Sequence, residues 1–273
     1  MMPWAEVIGQ PIGHSLSPII HRYWLEATGI EGGYEASAVP AADLPAFLAA
    51  RRNAAGWRGC NVTAPHKEAM LQLLNRVDEA AAAIGAVNCV HWDGPGLTGT
   101  NTDVEGIGEA LAGLPIRGET VAVIGAGGAA RAAVHWLRRE GARAITPVVR
   151  RPEAAEALGS GIQAYAFGEA RQAFSSASLI INATPQGLEG GEAMSAALLD
   201  AVREARVSAA FDMVYRPLET PFLRAARDSG ARTVDGLVML IGQARRSFAL
   251  FFGAAAPLEK DAELRALITT SAT

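Results

Sequence analysis

The chain has 273 residues, half of them hydrophobic, enough to bury a substantial core in one large domain or two modest ones, and this composition excludes a disordered polypeptide. A formal charge of −4, with arginine pairs at 51–52, 138–139, 150–151 and 245–246 scattered singly along the chain, offers no electrostatic footprint for nucleic acid. Cys60 and Cys89 are the only cysteines, no histidine cluster has metal-ligand spacing, and neither a leader pattern in "MMPWAEVIG" nor an 18-residue apolar run is present, so the expectation is a cytoplasmic protein with reduced thiols, no metal and no membrane partner.

The first strand is predicted at "WAEVIG", residues 4–9, and it runs into "GQPIGHSLSPIIH". In that loop Ser17 suits a helix N-cap, Pro18 the first helical position, and Gly29 the end of the helix that "IIHRYWLEAT" begins. Ser15 is then left without a task. A second hydroxyl beside the exposed N–H groups of a helix start would complete a neutral pocket for a small anion such as a carboxylate, so capping and anion binding both stand at this point. Next come a strand at "YEASAV", a helix at "ADLPAFLAARRN", a strand at "WRGCNV" and a helix at "KEAMLQLLNRV". A strand at "AVNCVHW", a turn at "DGPG" and a strand at "GLTGT" close this half, and the alternation predicts βαβ units around a mainly parallel sheet.

Between these strands lie three polar positions of interest. "NVTAPHKE", residues 61–68, ends a strand and starts a helix, so Lys67 falls in a first turn where the helix dipole and partial burial disfavour its charge, as a general acid/base lysine requires; an ordinary solvated lysine is the alternative. "GTNTDVEG" repeats the layout with Asn101 and Asp103 just before a helix, where Asp103 reads first as an N-cap. Asn88 is polar within an apolar run, and its amide needs a partner, either a ligand hydroxyl or backbone.

From about residue 103 the pattern restarts with the helical "VEGIGEALAGL", followed by "ETVAVIGAGGAARAAVHWLRREGA". Val121–Ile124 form a continuous apolar strand, and Gly125, Gly127 and Gly128 follow at once before a helix, with Ala130 where a third glycine usually stands. That order lets backbone approach a pyrophosphate at a helix N-terminus and predicts dinucleotide binding. The next strand, "AITPVVRRPE", ends in Arg150 and Arg151 rather than in the carboxylate that holds an NAD ribose. Guanidinium groups there favour the 2′-phosphate of NADP, while Glu153 swinging back to the ribose would keep NAD possible. Three further buried strands are predicted at "ASLIINAT", "VSAAFDMVY" and "ARTVDG". The final helices, "LVMLIGQARRSFALFFG" and "LEKDAELRALI", have no strand to serve and are expected to pack back on the first half. The expected organisation is therefore an α/β chain of two domains. Residues 1–102 with 237–273 would form a mainly parallel sheet domain, and residues 103–236 a Rossmann dinucleotide-binding domain. Trp57 and Trp136 are expected in the cores.

Taken in order, "PIGHSLSPIIH", "NVTAPHKE", "GAVN", "GTNTD", "VIGAGGAARA", "INATPQGL", "FDMVYRPLETPFL" and "DGLVMLIGQA" closely resemble the shikimate dehydrogenase family from about residue 6 to residue 253. The resemblance implies NADP-linked interconversion of 3-dehydroshikimate and shikimate, in a two-domain fold with substrate held on the N-terminal side. It implies that Ser15 and Ser17 bind the substrate carboxylate, that Lys67 and Asp103 are catalytic, and that Asn61, Thr63, Asn88, Gln243 and Tyr215 line the substrate. It assigns Gly125, Gly127, Gly128, Ala129 and Arg150 to the cofactor loop and phosphate clamp, beside which Arg151 is a further cofactor candidate, sets Thr184 in the matching "NAT" loop, and gives Met213, Gly236 and Met239 to the nicotinamide pocket. The chain departs from the family at Val149-Arg150-Arg151, where Asn-Arg-Thr is common, and at Leu16, Arg22, Cys89 and Val104. Those departures leave open a sister branch using quinate, aminoshikimate or NAD. A non-catalytic regulator that binds shikimate-like ligands is the reading from another class, and a monomer and a homodimer are both compatible with the family.

Overall fold

The computed structural model describes residues 1–159 and 162–271. The chain divides into two compact units, Met1–Thr102 with Gln243–Thr273, and Asp103–Gly242.

In the first unit the elements are β1 (Trp4–Gly9), α1 (Ser17–Thr28), β2 (Gly33–Ala38), α2 (Leu44–Arg52), β3 (Trp57–Val62), α3 (Lys67–Leu73), β4 (Arg76–Val77), α4 (Glu79–Ile84), β5 (Cys89–Asp93) and β6 (Gly96–Thr100). They build a six-stranded sheet in the order β2-β1-β3-β5-β6-β4. Pairings β1–β2, β1–β3 and β4–β6 are parallel, while β3–β5 and the hairpin β5–β6 are antiparallel, so the sheet is mainly but not wholly parallel. One face is filled by Ile8, Leu44, Leu48, Trp57, Val62 and Met70, all buried.

Several boundaries differ from the sequence expectation, each for a local reason. Helix α1 begins with Ser17 as its first residue and Leu16 in the cap position, because the Ser17 N–H is turned toward Ser15 Oγ at 3.3 Å; Gly29, at φ 68°, closes it as expected. Helix α3 stops at Leu73, and Arg76–Val77 pair with Thr98–Gly99 as β4. Helix α4 was not anticipated from "EAAAAI"; Asp78 caps it by accepting the Ala81 N–H at 2.7 Å. Strand β5 starts only at Cys89, because the N–H groups of Val87 and Asn88 donate to the carbonyls of Lys67 and Thr100.

A carboxylate lies inside this unit. Glu6 on β1 is fully buried, and its two oxygens accept from Arg51 Nε (2.7 Å) and Nη2 (3.1 Å), Trp57 Nε1 (2.9 Å) and Ser37 Oγ (2.6 Å). The Arg51 guanidinium also covers the rings of Trp4 and Phe47. Four donors on one carboxylate are what allow a charge to stay in a sheet interior.

The second unit contains α5 (Asp103–Ala110), β7 (Thr120–Ile124), α6 (Gly128–Arg139), β8 (Ala144–Val149), β9 (Tyr165–Ala166), α7 (Ala170–Phe174), β10 (Leu179–Asn182), α8 (Ala196–Glu204), β11 (Ala209–Asp212), α9 (Pro221–Asp228) and β12 (Arg232–Val234). Helix α10 (Gly236–Phe252) starts here, and its residues from Gln243 onward belong to the first unit together with α11 (Asp261–Ser271). All pairings in this sheet are parallel, in the order β12-β11-β10-β7-β8-β9. Counted from β7, that is the doubly wound order 3-2-1-4-5-6 of dinucleotide-binding sheets. Strands β7, β10 and β11 are buried throughout, as their uninterrupted apolar runs require. "ARTVDG", expected as a buried strand, is an edge instead: Arg232 is exposed and the rest half-buried, and β9 was not anticipated as the opposite edge. Trp57 and Trp136 are buried in their respective units, and Cys60 and Cys89 are buried and unbridged. Among the described residues no helix is long and apolar enough to cross a membrane.

Candidate active site

In the first unit the strand registers gather the polar candidates at one edge. Ile8 pairs with Val62, Asn61 with Cys89, and Cys89 with Thr100, so the residues following β1, β3 and β6 and those preceding β5 all emerge on the same side. Ser15 and Ser17, Thr63 and Lys67, Asn88, and Asn101 and Thr102 are these residues, with Asp103 following as the first residue of the second unit.

The amides among them form a buried network. Tyr34 Oη donates to Asn61 Oδ1 at 2.6 Å, and Asn61 Nδ2 donates to Ser247 Oγ at 2.7 Å. Asn88 Oδ1 accepts the Thr102 N–H at 2.7 Å, and Asn88 Nδ2 donates to Thr102 Oγ1 at 3.1 Å. Thr102 Oγ1 lies 3.4 Å from Gln243 Oε1 and 3.3 Å from Ser247 Oγ, which in turn donates to the Gln243 carbonyl at 3.0 Å. Asn61, Asn88 and Gln243 are thus held by shared partners on β2, on the stretch after β6 and on α10, and each amide has a set orientation. Tyr34, Thr102 and Ser247 were missed by sequence reasoning. Thr102 at least carried a signal, standing between two singled-out residues.

Ser15 and Ser17 form their own pair at the start of α1, Ser17 buried and Ser15 half-buried, with Ser15 Oγ spent on one N–H. Lys67 is half-buried and is the first residue of α3, which His66 anchors by a 2.7 Å contact between Nε2 and the Val39 carbonyl. Thr63 is half-buried after β3. Asp103, buried, is the first residue of α5 and not the residue before the helix, so the plain N-cap reading does not describe it.

Behind Tyr34 sits an unused titratable group. His21 is fully buried and stacks on Tyr34 at 3.9 Å and 5°; neither ring nitrogen has a hydrogen-bond partner, and burial pushes its pKa down to about 3. With the folded value below the unfolded one, the unfolded chain takes up the proton first, so stability is complete above pH 6.5 and is lost as pH falls toward 3. Going from pH 7 to pH 5 should cost the first unit roughly 2 kcal/mol through this one group, and His21→Phe should remove that loss while keeping the stack. Denaturant titration read by tryptophan fluorescence checks it, since Trp4, Trp24, Trp57 and Trp92 all lie in this unit. Equal acid sensitivity in both proteins would rule His21 out.

In the second unit the candidates stand at the carboxyl ends of the parallel strands: Gly125 after β7, Arg150 and Arg151 after β8, Thr184 after β10, Met213 and Tyr215 after β11, and Gly236 and Met239 after β12. The strand order reverses between β7 and β10, where such sheets bind ligands. Gly125 has φ 111°, and a Cβ there would lie 2.9 Å from Thr184 Cγ2, so only glycine fits beside the loop after β10. Gly127 is different: a Cβ on it would meet nothing within 4 Å, so the turn into the twelve-residue α6 is open at this glycine. An open cradle at a helix N-terminus is what a pyrophosphate needs, so Gly127, Gly128 and Ala129 fit that group. Gly236 has a packing task as well, since its Cβ would fall 2.5 Å from the Met213 carbonyl. Met239 is buried, Met213 half-buried, and burial raises the phenol of half-buried Tyr215.

These loops are tied together by side chains that sequence reasoning passed over. Asp212, at the end of β11, is fully buried and accepts from Thr220 Oγ1 (2.5 Å), Val214 N (3.0 Å) and Asn182 Nδ2 (2.9 Å). Burial pushes its pKa up to about 6 against the pull of those three donors. Asn182 Oδ1 accepts from Thr184 Oγ1 at 2.7 Å, Thr184 Oγ1 accepts the Gln186 N–H at 3.3 Å, and Gln186 Nε2 donates to Glu192 Oε1 at 3.1 Å. Glu192 then pairs with Arg150 at 2.7 Å. Asn182 and Asp212 carried the same signal as Asn88, a polar residue ending an apolar run. Glu192 carried none, and Arg151 is exposed.

Among known proteins, a family model described as the shikimate dehydrogenase substrate binding domain matches residues 7–90. A relative from Sphingopyxis alaskensis, shikimate dehydrogenase (NADP(+)), is 43% identical over 269 residues covering 97% of each chain. The crystal structure of shikimate 5-dehydrogenase from Thermus thermophilus in complex with NADP(H) and shikimate is 38% identical, with a TM-score of 0.85 over 100% of both chains. That of Listeria monocytogenes shikimate 5-dehydrogenase in complex with shikimate and NAD is 28% identical, with a TM-score of 0.84 over 98% of this chain and 96% of that one.

Proposed function

The chain belongs to the shikimate dehydrogenase family, and on that premise we propose that it reduces 3-dehydroshikimate to shikimate with NADPH, a step of aromatic amino acid biosynthesis. The observation that carries this reading is the coexistence, along one full-length match, of an amide and hydroxyl network suited to a polyhydroxylated ring and an open glycine turn suited to a pyrophosphate.

In this reading the first unit binds the ring acid. Ser15 and Ser17 receive the carboxylate through their hydroxyls at the start of α1. Asn61, Thr63, Asn88 and Gln243 meet the ring hydroxyls. The Tyr34 and Ser247 bonds on Asn61, and the Thr102 bonds on Asn88, keep those amides from rotating, so the ring meets donors and acceptors already aimed. Lys67 supplies the proton that the ketone oxygen takes up as the carbon is reduced and recovers it from water; Asp103 orients the hydroxyl being formed. Gly125, Gly127, Gly128 and Ala129 hold the pyrophosphate, Arg150 and Arg151 the 2′-phosphate, and Thr184, Met213, Gly236 and Met239 surround the nicotinamide, which supplies the hydride when bound. On this reading the enzyme works in the cytoplasm, as monomer or homodimer.

A spectrophotometric assay of shikimate and quinate, each against NADP+ and NAD+, tests the proposal. The expected result is fastest turnover with shikimate and NADP+. Higher kcat/KM with quinate or with NAD+ would move the chain to a sister branch, and no turnover with any pair would make it a binding protein.

A further inference from the structure

Arg150, the guanidinium assigned above to the 2′-phosphate, is already engaged. Its Nη2 lies 2.8 Å from Glu192 Oε1 and 2.7 Å from Oε2, with both side chains more than half exposed. Glu192 is not a wandering surface side chain. Its backbone carbonyl accepts the Gly187 N–H at 2.9 Å, and its Oε1 accepts from buried Gln186, whose own loop is hung on Thr184 and Asn182. The carboxylate is therefore held from behind by the same loop that follows β10, and it points at the cation.

We infer that Glu192 sets this chain's discrimination between nucleotides with a 2′-phosphate and those with a 2′-hydroxyl, by competing with the phosphate for Arg150. The inference rests on the cofactor reading above. A 2′-phosphate can take Arg150 only by displacing a carboxylate or lying beside it, and either lowers its affinity through lost pairing or like-charge repulsion. A 2′-hydroxyl meets no such cost, because it can donate to the Glu192 carboxylate while Arg150 stays paired. The glutamate thus weakens the selectivity that the arginine alone would give, and it restores part of the role of the ribose-binding acid missing from the end of β8.

The test is calorimetric binding of 2′,5′-ADP and of 5′-ADP to the full chain, which does not depend on turnover. E192Q and E192A should each bind 2′,5′-ADP about fivefold more tightly, with 5′-ADP unchanged or weakened. The gain should fall toward unity in 0.5 M KCl, roughly the regime where exposed charges are screened, and should vanish in an R150A background. A ratio of the two affinities unchanged within about twofold, or a gain that survives R150A, would overturn the inference alone. Failure of the unsubstituted chain to bind either nucleotide would overturn both the inference and the cofactor reading beneath it.

Discussion

Lys67→Ala is expected to lower kcat by roughly 10²–10⁴ while leaving the KM for the ring acid within a few-fold, the pattern of a group that acts in the transition state more than in binding. The split follows from where the residue sits. Its side chain is half-buried at the first position of α3, while the Asn61 and Asn88 amides, which hold the ring hydroxyls in our reading, are fixed by Tyr34, Ser247 and Thr102. Its backbone carbonyl, which accepts the Val87 N–H at 2.9 Å, is untouched by the substitution, so the loop before β5 keeps its path. Steady-state kinetics at saturating cofactor make the check. Near-normal turnover would remove Lys67 from the chemistry, and a large rise in KM at constant kcat would make it a binding residue only.

The second large effect is on stability and is asymmetric. Arg51→Ala should destabilise the first unit by about 3–5 kcal/mol, because it leaves the fully buried Glu6 carboxylate with only the Trp57 and Ser37 donors. Glu6→Gln should cost less, about 1–3 kcal/mol, because the Arg51 side chain retains 29% of its exposure and can turn its charge to water, while an amide oxygen still accepts from Trp57. Urea unfolding of both variants, followed through the first unit's tryptophans, separates them. A Glu6→Gln loss equal to or larger than that of Arg51→Ala would mean that the burial of the carboxylate is not what dominates.

Local signals made much of this molecule legible in its sequence. The strand from Thr120 to Ile124 and the glycines after it are readable because continuous burial and a tight turn each dictate residue type within a few positions. Asn88 was readable as a polar residue needing a partner, yet which partner was not. Thr102 lies 14 residues away, and the Asn61 amide finds Ser247 at a separation of 186. Glu192, 42 residues from Arg150, is invisible for the same reason. The start of α1 was misplaced by one residue because Leu16 already takes helical backbone angles and its carbonyl, not the Ser17 hydroxyl, meets the Ile19 and Ile20 N–H groups, which propensity does not show. Helix α4 escaped because a run of four alanines has no apolar periodicity to detect.

The central claim, that this chain moves a hydride onto a ring ketone, is tested most directly by isotope. Incubating the protein with 3-dehydroshikimate and NADPH deuterated at the transferring position of its nicotinamide, in ordinary water, should give shikimate carrying one deuterium on the carbon that bears the new hydroxyl. Product without deuterium, label at another carbon, or a ligand that binds and is returned unchanged would contradict the account.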